Sequence, residues 1–163
     1  MQDTIPLNRL NDSNEPQFEP IIPVARLPDG ARLLIRGMRL WNKALADRTC
    51  VFAVTHHDFS ACNCKAVVRY LDEMMCLFHV ASRRPMAINA VQAVDATKDE
   101  LRVVAALRLI AENNHEQASY HLRELVRGPL NFSVIRACAD IATTFTRQQL
   151  AFHQKPKMSL ANP

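Results

Sequence analysis

Glycine is nearly missing from this chain: only Gly30, Gly37 and Gly128 occur among 163 residues. A glycine-rich loop that wraps phosphate groups has almost no raw material, so nucleotide binding by that route is disfavoured. There is no run of 18 apolar residues, and no segment is expected to span a membrane. Neither sign of charge dominates, since the formal net charge is only +4; such a mild excess allows an acidic partner without demanding one. Cysteines are few and odd in number, five, and no charged-then-apolar leader opens the sequence. Reduced thiols and a cytoplasmic location are therefore expected.

What is present is an ordinary globular composition, 48% hydrophobic with 22% charged residues. A chain of this length buries roughly 70% of its unfolded surface, enough for one self-sufficient core that needs no metal or disulfide. Residues 1–28 hold five of the nine prolines among Asn, Asp, Glu and Gln, without a sustained period. They are expected to form an extended or disordered arm, in which Phe18 to Val24 is apolar enough to lie along the domain or a partner. Residues 29–152 are expected to be the helical domain and 153–163 a flexible tail.

The strongest pattern is "ARLLIRGMRLWNKAL", Ala31 to Leu45. At about 100° per residue, Arg32, Arg36, Arg39 and Lys43 fall within about 60° of one another, opposite Leu33, Leu34, Met38, Leu40, Trp41, Ala44 and Leu45. The spacing predicts an amphipathic helix with a narrow basic ridge, with Asp29 bonding the free amides of its first turn. Gly37 lies in the apolar arc, where it costs about 1 kcal/mol of helix propensity against alanine. Its presence there predicts that another helix crosses closely.

Further along, "CVFAVTHHDF" (Cys50 to Phe59) reads as a short strand or buried connector. Ser60 then opens a helix to about Arg84, stopped by Pro85, with Val67, Val68, Leu71, Met74, Met75 and Phe78 on its core side. Residues 86–94 are ambiguous between helix and extended chain. Thr97 with Glu100 forms a capping box for a nearly all-apolar helix that belongs in the middle of a bundle. Asn114 with Gln117 starts another, closed by Gly128 and Pro129. The last helix, about Asn131 to Phe152, aligns Val134, Ile135, Cys138, Ile141, Ala142 and Phe145. The expected fold is all-α, a single bundle of five or six helices behind the proline-rich arm.

Two features suggest chemistry. Between positions 50 and 79 stand Cys50, His56, His57, Cys62, Cys64, Cys76 and His79, which invites a zinc reading. Structural zinc commonly takes paired ligands at C-x2-4-C or H-x3-5-H spacing, whereas "CNC" and "HH" are too close. If Ser60 caps the helix, Cys62 and Cys64 point roughly 160° apart and Cys62 lies about 21 Å from Cys76 along the axis. The candidate ligands are therefore His56, His57, Cys76 and His79, and zinc is the one cofactor considered. Cys76 with His79 is also the only local pair that could make a reactive thiol. Asp72, Glu73, Asp99, Glu100 and Glu116 are expected on solvated faces, with nothing to raise a carboxyl pKa; no acid-base pair, and no enzyme, is indicated.

The second feature is the ridge, which reads as a solvated face, as a polyanion contact whose four cations would give a salt slope of about −3 to −4, or as an interfacial helix that inserts Trp41 into anionic lipid. The favoured function is a non-catalytic intracellular interaction or regulatory protein with a protein partner, acting through helix faces and the arm. The alternatives are nucleic-acid binding through Arg32, Arg36, Arg39 and Lys43, and a metal or thiol site in Cys62 to His79.

Overall fold

The computed structural model describes residues 21–127 and 132–152. Among them are six α-helices and one two-stranded ribbon, so the fold is the all-α bundle that the periodicity predicts. The strands β1 (Ile22–Pro23) and β2 (Asp95–Ala96) pair antiparallel, Ile22 opposite Ala96. The helices are α1 (Asp29–Asp47), α2 (Val51–Ala61), α3 (Val67–Ala81), α4 (Lys98–Ala111), α5 (His115–Arg123) and α6 (Phe132–Arg147).

Contacts run α1 to α3, α3 to α6, α6 to α4 and α4 back to α1, a closed four-helix core with α2 laid on α1 and α3 and α5 on α4. Leu34, Ile35 and Met38 of α1, Leu71 and Phe78 of α3, Leu107 of α4 and Ile141 and Phe145 of α6 are all fully buried. The close crossing expected at Gly37 is real. A Cβ there would stand 2.7 Å from Phe59 Cζ and 2.9 Å from Leu71 Cδ2, so α2 and α3 both press on that point.

Several local expectations need correction. Cys50 to Phe59 is neither strand nor connector: Cys50 precedes α2 and Val51 to Phe59 form most of it. Its β-branched residues cost only fractions of a kcal/mol in helix propensity; burying Phe59 and Thr55 outweighs that, and the Thr55 hydroxyl donates to Val51 O at 2.8 Å. The next helix starts at Val67, not after Ser60. Cys62 and Cys64 therefore lie in the α2–α3 turn, where Asn63 takes a left-handed conformation. Asp29 does not bond the first-turn amides; α1 has no side-chain cap, and Gly30 N instead donates to Ala151 O at 3.0 Å. That approach requires glycine, since a Cβ at Gly30 would lie 2.8 Å from the same oxygen.

Part of the proline-rich stretch belongs to the folded unit. Val24 N donates to Val94 O at 2.8 Å, Val24–Arg26 form one 3-10 turn, and Val24 and Leu27 pack against the core. The other arm residues, 1–20, lie outside the described residues, as do the stop pair Gly128 and Pro129 and the tail 153–163. After α6 the chain folds back. Phe152 is buried and stacks on Phe145, ring centroids 5.5 Å apart. Residues 86–94 form no regular element.

Candidate functional site

The basic ridge does not face solvent as a unit. Arg39, only 3% exposed, turns inward and spends its whole guanidinium on α4 and the segment before it. Nε donates to Glu100 Oε1 at 2.8 Å and Nη2 to Glu100 Oε2 at 2.9 Å. Nη1 donates to Ala93 O at 2.6 Å, and Nη2 also to Asp95 O at 2.7 Å. This corrects its place on an exposed polyanion ridge: residues 89–97 lie over that part of α1 and remove Arg39 from water. Lys43 pairs with Asp47, Arg32 with Asp29, and Arg36 with Asp58 of α2. Trp41, only 4% exposed, donates Nε1 to Asp72 Oδ1 at 2.8 Å; it is core and not a lipid-inserting side chain.

Asp99 and Glu100, expected on a solvated face, are fully buried. The capping box forms as expected: Thr97 Oγ1 accepts from Glu100 N at 3.1 Å and Thr97 N donates to Glu100 Oε2 at 2.9 Å. Glu100 Oε1 also accepts from Asn89 N. Asp99 accepts from both Nη atoms of Arg84 at 2.7 and 2.9 Å, from Ala87 N at 2.9 Å and from Arg102 at 3.3 Å. Burial by itself would raise the Asp99 carboxyl. The Arg84 and Ala87 hydrogen bonds and the charges of Arg84 and Arg102 outweigh it, so its pKa stands below the ordinary aspartate value. Among the described residues, no buried side-chain nitrogen or oxygen lacks a hydrogen-bond partner. These two acids were missed as a pair. Glu100 carries the capping-box spacing from Thr97, and the signal the two share is position: they open the first turn of a helix that is otherwise nearly all apolar, where carboxylates meet free backbone amides.

The cysteines and histidines do not converge. His56 and His57 are exposed on α2, Cys76 and His79 on α3. Among the described residues no three His, Cys, Asp or Glu side chains are placed to hold one ion. Burial and the neighbouring Asp72 push the Cys76 thiol up, which disfavours the thiolate that a nucleophile needs. Cys138 is fully buried, and burial pushes its thiol up to about 12.

Two depressions stand out. A cleft of about 550 Å³ runs along α1 beside Arg32 and Arg36, with Arg39 at its inner end and Val91, Ala93 and Leu150 on the opposite wall. A broader groove of about 810 Å³ lies between the ribbon, α4 and α5, lined by Ile21, Ile22, Leu101, Ala105, Tyr120 and His121. No described helix is long and apolar enough to cross a membrane. Compared with known proteins, the chain matches no family model, no curated protein and no solved structure.

Proposed function

We propose that this chain is a non-catalytic interaction protein whose partner-binding face is the groove between β1, α4 and α5. The observation that carries this reading is the pairing of Ile21 and Tyr120, 75% and 67% exposed, at the lips of one groove floored by Leu101 and Ala105. Large apolar side chains scattered singly over a surface are unremarkable, but apolar side chains sharing a concavity mark contact sites. The charges around this groove are of both signs, Lys98 and Arg102 beside Asp95 and Glu124. That composition suits an apolar segment of a protein partner with a polar rim better than a nucleic acid. The polyanion alternative loses only Arg39 and retains Arg32, Arg36 and Lys43 as exposed or half-exposed cations, and three phosphate contacts would give a salt slope of about −3.

The test is capture of a stoichiometric protein partner by the full chain from its native cells, with Ile21→Glu plus Tyr120→Glu against the control Val80→Glu, whose side chain is 86% exposed on α3. Loss of the partner with the first variant and retention with the second is the expected result. Retention with both overturns the groove assignment, and loss of capture on nuclease treatment favours the polyanion alternative.

A further inference from the structure

We propose that the cleft along α1 binds a small amphipathic anion, a carboxylate or phosphate monoester carrying an apolar tail, with Arg32 and Arg36 at its head group.

Three stretches remote in sequence wall the cleft opposite α1, and each is tied in place. Val24 is held by its N–H to Val94 O. The wall of Val91 and Ala93 is drawn toward α1 by Arg39 Nη1 on Ala93 O. Leu150 is fixed from the far end, since Leu150 N donates to Phe145 O and Ala151 O accepts from Gly30 N. Leu33 and Ile35 of α1 complete the apolar lining, and Cys62 from the α2–α3 turn closes one side. A volume of about 550 Å³ falls within the roughly 300–1,000 Å³ typical of small-molecule sites.

Each arginine at this cleft is paired with a carboxylate, Arg32 with Asp29, Arg36 with Asp58 and Arg39 with Glu100, but two of them keep donors in hand. Arg32 and Arg36 stand one helical turn apart on the same face, half-exposed, and each spends only one nitrogen on a carboxylate, Nη2 on Asp29 and Nε on Asp58. Among the described residues, both Nη atoms of Arg36, and Nε and Nη1 of Arg32, donate to no partner and keep their N–H groups for a ligand. Among the described residues, the one acid lining the cleft is Asp29, itself mostly exposed. A guanidinium presents paired donors matched to the two oxygens of a carboxylate or phosphate. Two such forks over apolar walls select a molecule with an anionic end and a hydrocarbon body. Arg39 is the positioning residue, because its donors are all committed to holding the wall. This site is separate from the groove between α4 and α5, so either reading can fail alone.

The experiment is calorimetric titration of the full chain with octanoate, octyl phosphate, octanol and inorganic phosphate. Saturable one-to-one binding is expected for octanoate or octyl phosphate, and the tighter of the two identifies the head group. Octanol and inorganic phosphate should each bind at least about tenfold more weakly, the loss of one charge-assisted contact set or of the apolar wall. Arg32→Gln plus Arg36→Gln should weaken octyl-anion binding by about tenfold or more while the melting curve stays near wild type. Val91→Trp, which fills the cleft without touching a charge, should abolish it. Octanol binding as tightly as the anions, inorganic phosphate matching octyl phosphate, or no saturable binding by any probe would each overturn the proposal.

Discussion

Replacing Arg39 by Met tests whether the centre of the bundle depends on its buried ion pair. The substitution removes four hydrogen bonds, to Glu100 Oε1, Glu100 Oε2, Ala93 O and Asp95 O, and leaves Glu100, fully buried, as a carboxylate with only backbone donors. Removing one partner of a buried pair costs about 3–5 kcal/mol, because the surviving charge stays desolvated. For a domain of this size each kcal/mol lowers the melting midpoint by about 2–4 °C, so a drop on the order of 10 °C is expected. Glu100→Met should cost a similar amount, since it strands Arg39 and also breaks the capping box. The double variant should recover part of the loss but not all, because Asn89 N, Thr97 N and the carbonyl of Ala93 lose their side-chain partners in it, while Asp95 O keeps its bond from Asn89 Nδ2. Arg36→Gln is the control: its pair with Asp58 is half-exposed, and such pairs contribute about 1 kcal/mol or less. Urea unfolding of the four variants, with a double-mutant cycle, measures all of this. If Arg39→Met costs no more than Arg36→Gln, the network does not hold α1 to α4.

Two further predictions rest on separate observations. Gly37→Ala should destabilise despite a gain of about 1 kcal/mol in helix propensity, since the new methyl meets Phe59 and Leu71, both fully buried, and overpacking of this kind costs about 1–3 kcal/mol; a variant at least as stable as wild type by urea unfolding would refute the tight crossing. The Asp99 carboxyl has its pKa lowered in the folded state, so its contribution is complete above the unfolded value of about 3.9 and is lost as pH falls through the lower folded value. Asp99→Asn should therefore be less stable than wild type near neutrality and lose less stability between pH 5 and the acid limit, and parallel stability curves across that range would contradict the assignment.

The sequence by itself determined the helical class, the span of α1, the capping box at Thr97, the Asn114 start of α5 and the tight crossing at Gly37. All of these depend on residues within one or two turns of each other or on a periodicity that a single helix displays, so the physics that decides them is local. The ridge was legible as four cations on one face, but what each one meets was not. A helical wheel places Arg39 beside Arg36 and Lys43; only the passage of residues 89–97 across α1 separates them, burying Arg39 against Glu100, 61 residues away, while Arg32, Arg36 and Lys43 stay exposed or half-exposed. The same passage turns Asp99 and Glu100 from first-turn acids into buried acceptors, and the α2 helix forms against the local preference of its valines and threonine because Phe59 has a core to enter. Propensity differences of fractions of a kcal/mol per residue yield to burial of whole side chains at about 1.5–3 kcal/mol each. The clefts, finally, are assembled from segments up to 126 positions apart, Val24 to Leu150, and such a surface exists only once the chain has packed.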